Sequence, residues 1–199
     1  MRLIRFRLPC RKFMTHRLTY NLNALALFCL AIPLVGALGI QLTGDLPCPL
    51  CLLERVAMFS VAIGLVLNLR YGLKPSHYAM SMLGALMGLV ISGRHVLLHV
   101  SGPPGSGYGG AFLGLHLYTW ALIVFFCFLI GASVLLLGSA QFETENDSSP
   151  RVGWNTSLWA RLTSYLIFAL CAINAGMAFM ECGPLECPEN PTGYWIFGH

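Results

Sequence analysis

The chain has 199 residues, 56% of them hydrophobic and 10% charged, with a formal net charge of +4. Soluble domains carry about 25% charged residues, so the composition excludes a water-soluble globular protein and points to an integral membrane protein. The positive charge does not mark a nucleic-acid binder. Arg2, Arg5, Arg7, Arg11, Lys12 and Arg17 crowd the first twenty residues with no basic or aromatic surface further on, the pattern of a cytoplasmic flank.

A helix needs about 20 mostly apolar residues to cross a bilayer. Five runs qualify in chain order: 22–43, 51–70, 77–100, 111–137 and 158–180. The first follows a basic stretch, and Ala37-Leu38-Gly39 resembles a cleavage site. Its apolar run is long for a signal peptide, so a retained anchor is expected. Connections carrying Arg70 and Lys74, then Arg151 and Arg161, alternate with connections that carry no Lys or Arg, at 44–50, 101–110 and 181–199. The asymmetry predicts a cytoplasmic N-terminus and a C-terminus on the outer side. The segment 139–157, with Glu143, Glu145 and Asp147, reads as a solvated cytoplasmic loop. The expected fold is all-α: an integral membrane helical bundle, 1–199 as a single membrane domain, with a four-helix core, a fifth transmembrane helix and a cysteine-bearing tail, 181–199.

The eight cysteines sort by side. Cys10 lies in the basic tail, and Cys29, Cys127 and Cys171 sit singly inside spans, where cysteine is a small hydrophobe. The other four form two pairs on the outer side, Cys48/Cys51 and Cys182/Cys187. In a bacterial inner membrane that side is the oxidising periplasm. Structural staples, a four-thiolate zinc site and thiol–disulfide exchange all compete for them. A C-x-x-C loop makes a short, reducible staple. Pairs separated by over a hundred residues are an unusual way to build a zinc site, for all that four thiolates suit its tetrahedral geometry. Exchange fits best, because a cysteine at a helix start has its thiolate stabilised by unpaired N–H groups and the dipole.

Arg55 lies one turn beyond Cys51 on the same face. Charge within a span is costly, and it reads as functional by default, although snorkelling towards the headgroups or pairing with Glu54 would also place it there. The third span ends in "SGRHVLLHV", with Arg94, His95 and His99. The fourth opens with "FLGLHLYTW", adding His116, Tyr118 and Trp120, the last two suited to an interfacial belt. The three histidines suit a metal or haem, a carbonyl-bearing ligand or the headgroup lining, and their spacing alone does not choose. A lipid-soluble quinone would suit Cys51, Arg55, His95, His99 and His116 together. It accepts the two electrons and two protons that a dithiol releases, while cationic groups polarise its carbonyls. Gly105-Ser106-Gly107-Tyr108-Gly109-Gly110 fits a nucleotide-binding pattern, but no strand is predicted before it. Asn155-Thr156-Ser157 fits a glycosylation pattern on the cytoplasmic side.

The string "CPLCLLER" at the head of the second span, with "GRHVLLH" and "GLHLYTW", resembles the disulfide bond formation protein B (DsbB) family of quinone-linked inner-membrane oxidases. The resemblance covers about the first 137 residues. It implies a Cys48–Cys51 disulfide reoxidised by ubiquinone or menaquinone, with Cys51 nearest the ring and Arg55 supporting quinone binding. His95 and His99 match by region. The family also uses a second periplasmic cysteine pair, which takes electrons from a thioredoxin-fold (DsbA-like) partner. Here the loop between the third and fourth spans, "SGPPGSGYGG", has no cysteine. Cys182 and Cys187 stand instead in an irregular tail rich in glycine and proline, on the side where they could perform that relay. Two rivals remain at this level: a haem-carrying electron-transfer subunit using His95, His99 and His116, and a structural membrane protein with stapling disulfides. No metal is expected.

Overall fold

The structure, a computed structural model, describes residues 16–100, 111–138, 142, 153–155, 157–188 and 191–197. Cys10, the basic residues before Arg17, the glycine motif at 105–110, the acidic residues at 143–147 and Arg151 lie outside them. Five helices make up the fold: α1 His16–Leu42, α2 Pro49–Tyr71, α3 Pro75–Val100, α4 Leu117–Leu137 and α5 Leu158–Cys182. All five are long and apolar enough to cross a membrane. A two-residue antiparallel ladder, β1 Ala111–Phe112 with β2 Leu115–His116, precedes α4.

That ladder corrects one boundary. The apolar run from 111 suggests helix, but Leu113 and Gly114 take positive φ values of 51° and 79°. The chain turns there, and the helix begins only at Leu117.

α2 lies at the centre, packed on α1 and α3, with α4 against α3 and α5 against α1. Small residues let α2 and α3 approach closely, as in other membrane bundles. Gly64 faces the α3 backbone at His77 and the side chain of Ser81, and Gly84 faces the α2 backbone at Ser60 and Val61. Ser81 Oγ donates to Val61 O at 2.8 Å, which seals the contact. The lipid-side faces are apolar, with Ile32, Val35, Leu83, Val90, Ile130 and Phe168 all exposed.

Buried polar groups have no water to turn to in a bilayer, so they must pair within the protein. One set does so at the Arg70 end. Asn23 Nδ2 donates to Tyr78 Oη at 2.6 Å, Asn68 Nδ2 donates to Asn23 Oδ1 at 3.1 Å, and Tyr20 Oη donates to Leu69 O at 3.1 Å. These bonds tie α1, α2 and α3 together at the end opposite the paired cysteines.

The described part of the tail is irregular, as its glycine and proline content suggests, but it packs back on α5. α5 ends at Cys182, and Gly183 caps it with φ 65° while donating to Phe179 O at 2.8 Å. The chain then folds back, and a 3-10 turn, Trp195–Phe197, brings the Trp195 ring over Gly183 and near Phe179. A Cβ at Gly183 would meet that ring at 2.5 Å, so both conformation and space require glycine there.

Candidate active site: a capped dithiol beside a buried arginine

Pro47-Cys48-Pro49 sets the entry to α2. Pro49 occupies the first helical turn, where its missing N–H is no loss. Cys48 is the N-cap, extended at φ −71° and ψ 162°, and its Sγ accepts from Cys51 N at 3.3 Å. The cap thus places one sulfur against the positive end of the helix. The next turn brings Cys51 Sγ within 2.8 Å of Cys48 Sγ. Cys48 is buried and Cys51 half-buried.

His95, fully buried on α3, reaches the pair from the other side. Its Nε2 lies 3.7 Å from Cys48 Sγ and its Nδ1 lies 3.0 Å from Glu54 Oε1. Nδ1–H held by the carboxylate leaves Nε2 to exchange a proton with the sulfur. Hydrogen bonding from Cys51 pulls the Cys48 thiol down to about 4, against the effect of burial, and the His95 contact adds to the fall. A thiol lowered in this way keeps its charge to lower pH than an ordinary cysteine and loses it as pH falls through the lowered midpoint. Ultraviolet thiolate absorbance, in a variant lacking Cys10, Cys29, Cys127 and Cys171, is expected to show this low midpoint. Cys51→Ala should raise it most and His95→Ala less, towards the ordinary thiol value of about 8.5. A midpoint near 8.5 in the parent protein would contradict the geometry.

Arg55 points away from His95. It is 7% exposed and held by three acceptors. Nη1 donates to Gln41 Oε1 at 2.7 Å and to Asn174 Oδ1 at 3.1 Å, and Nη2 donates to Ala37 O at 3.1 Å. Gln41 Nε2 in turn donates to Glu181 Oε2 at 2.9 Å. Gln41, Asn174 and Glu181 were not singled out by sequence reasoning. The available signal was their polarity inside apolar runs.

Between α1, α2 and the start of α4 lies a cleft enclosing about 80 Å³ and open along one side, lined by Cys51, Glu54, Arg55, Met58, Leu117 and Trp120 among others. Cys48 is not in its wall. His95 and His99 are brought together with Tyr118, and His116 stacks on the same ring, with centroids 4.4, 5.3 and 5.3 Å away. None of the three histidines lines the cleft. Cys182 and Cys187 are joined in a disulfide at the end of α5, one residue beyond Glu181. A larger cavity of about 460 Å³, bounded by Leu22, Leu25, Val124 and Phe128, contains Cys29 and Cys127 but none of the paired cysteines.

Cys48, Cys51 and His95 also form a cluster with metal-ligand atoms within 4.8 Å of one another. Two thiolates on one tetrahedral zinc, each about 2.3 Å from the metal, stand about 3.8 Å apart. The observed 2.8 Å separation is shorter than that and suits a dithiol that closes to a disulfide.

The fold and site together define a multi-pass helical membrane protein with a dithiol at the capped start of its second helix. Residues 19–107 match the model of the family described as disulfide bond formation protein DsbB. The chain is 39% identical over 84 residues to disulfide bond formation protein B of Pseudomonas syringae pv. tomato, which is 39% of this chain and 48% of that protein. It is 43% identical over 84 residues to the protein of that name from Methylococcus capsulatus, 39% of this chain and 49% of the other. The chain thus matches about half the length of these curated relatives. The similarity expected from "CPLCLLER" is therefore found. The family match includes Cys48, Cys51, Glu54, Arg55, His95 and His99, and leaves out His116, Asn174, Glu181 and the tail pair. No solved structure matches the chain.

Proposed function

We propose that this protein is a thiol:quinone oxidoreductase of the bacterial inner membrane, with its cysteine end facing the periplasm and its N-terminus in the cytoplasm. The observation that carries the reading is the placement of Cys51 and Arg55 in the wall of one apolar cleft, with Cys48 outside it beside His95. This separates the sulfur that meets an acceptor from the buried sulfur that closes on it.

The lining offers a quinone ring apolar walls, a thiol, an aromatic side chain and a cation, alongside the carboxylates of Asp45 and Glu54. The enclosed space is small, so an isoprenoid tail belongs in the lipid outside the open side. A quinone bound there supplies the oxidising equivalent, taking up two electrons and two protons as the Cys48–Cys51 dithiol becomes a disulfide. Cys51 and Arg55 would hold it, with Arg55 favouring negative charge on its oxygens. Cys48, a thiolate at neutral pH, is the ready nucleophile for closing the disulfide. His95 holds the proton at Nε2 that Cys48 gives up, and Glu54 fixes the ring through Nδ1.

The tail pair supports a relay. A thiolate of a reduced periplasmic thioredoxin-fold partner attacks the Cys182–Cys187 disulfide, and a second exchange passes the reduction to Cys48–Cys51. Each exchange forms one S–S bond and breaks one. Purified protein in nanodiscs, supplied with dithiothreitol or with a reduced thioredoxin-fold protein, tests this reading. Wild type should turn over with both donors, and Cys187→Ser should fail with the protein donor alone. If Cys187→Ser matches wild type with both, the tail pair is a staple. A haem band in the purified protein, without quinone reduction, would favour the electron-transfer alternative instead.

A further inference from the structure

We infer that α5 completes the Arg55 site, with Gln41, Asn174 and Glu181 acting as positioning residues that hold the guanidinium without cancelling its charge. The inference rests on the quinone reading above; its α5 members, Asn174 and Glu181, lie outside the family match, and Gln41 lies within it.

A buried guanidinium is stable only if its donors are paired. The direct solution is a carboxylate, which here would satisfy Arg55 and neutralise it. The structure uses neutral oxygens instead: the side-chain carbonyls of Gln41 and Asn174 and the backbone carbonyl of Ala37. Among the described residues, no carboxylate contacts Arg55. Glu54, its neighbour in sequence, shares the cleft wall but is turned to His95, and Asp45 lines the same cleft. Glu181, 2% exposed, is set back by one residue, reaching Arg55 only through Gln41. The counter-charge is thus held one side chain away, and the positive charge at the cleft remains that of Arg55. Negative charge developing on a bound acceptor then meets a cation rather than a spent ion pair.

The arrangement makes opposite predictions for two nearly isosteric changes. Asn174→Asp sets a carboxylate directly on Nη1 and discharges Arg55. Glu181→Gln keeps an acceptor for Gln41 Nε2 but removes the distant counter-charge. The readout is equilibrium binding to the oxidised, full-length protein in nanodiscs, which requires no turnover. The probes are phthiocol, a naphthoquinone with an ionised hydroxyl at neutral pH, and its analogue with a methyl in place of that hydroxyl.

Asn174→Asp should weaken phthiocol about tenfold or more relative to the methyl analogue, and Glu181→Gln should hold or raise the ratio. Asn174 Nδ2 also donates to Leu170 O at 2.8 Å, so Asn174→Asp loses an intrahelical bond. That loss affects the thermal midpoint, whereas discharge of Arg55 affects selectivity between the two probes. An unchanged ratio in Asn174→Asp, equal weakening of both probes, or a ratio lowered by Glu181→Gln would each overturn the inference and leave the quinone reading standing. Failure of wild type to bind either probe would overturn both.

Discussion

Cys51→Ser is expected to abolish quinone reduction with every thiol donor, whereas Cys48→Ser should retain binding of quinone while losing turnover. Cys51 is the paired cysteine in the cleft wall, and its sulfur lies 2.8 Å from that of Cys48. A serine hydroxyl there fits the space and leaves the α2 cap intact, because the cap bond runs from the Cys51 backbone N–H to Cys48 Sγ. The loss is therefore one of chemistry rather than folding. Stopped-flow absorbance of the quinone, with thermal unfolding as the control, separates the two. Residual turnover above a few per cent in Cys51→Ser would mean that electrons leave from another sulfur.

The second large effect is expected at Arg55. Arg55→Met should lower quinone reduction about a hundredfold or more, in keeping with loss of one preorganised charge-stabilising group. It also leaves Gln41, Asn174 and Ala37 with acceptors that have lost their donor, at a cost of roughly 1–3 kcal/mol for each group left unpaired. Arg55→Lys keeps the charge, but a single ammonium does not reproduce the planar fork that spans three acceptors. It should recover part of the activity and less of the stability. Measured kcat and KM for quinone, beside the thermal midpoint, distinguish these contributions. If Arg55→Met loses stability but keeps kcat/KM for quinone, Arg55 is a structural tie between α1, α2 and α5.

Much of this was legible in the sequence, for definite reasons. The helices announce themselves because a bilayer demands long apolar runs, and all five emerge where hydropathy places them. The exception, the turn at Leu113 and Gly114, is hidden because Ala111, Phe112, Leu113 and Leu115 are as apolar as any span. Cys48, Cys51 and Arg55 could be grouped because they share one helix, where spacing fixes the face. The Cys48–His95–Glu54 chain and the Arg55–Gln41–Glu181 chain could not, since they join residues 41 and 140 positions apart. His95, His99 and His116 were associated with Cys51 by depth alone. Depth does not specify azimuth, and the structure turns them towards Cys48 and Tyr118 rather than into the cleft. The packing of the tail was hidden as well, because Trp195 folding back over Gly183 is a contact that local composition does not encode.

The most direct test of the central claim is a single-turnover reaction under anaerobic conditions. Fully reduced protein is mixed with one equivalent of a short-chain quinone, and the products are counted by quinol absorbance and by mass spectrometry of alkylated peptides. The proposed chemistry predicts one quinol formed and two thiols lost, with the disulfide appearing first between Cys48 and Cys51 in rapidly quenched samples and passing to Cys182 and Cys187 afterwards by exchange. Quinone that remains oxidised, or quinol formed as fast in a Cys48→Ser, Cys51→Ser double variant as in wild type, would contradict it.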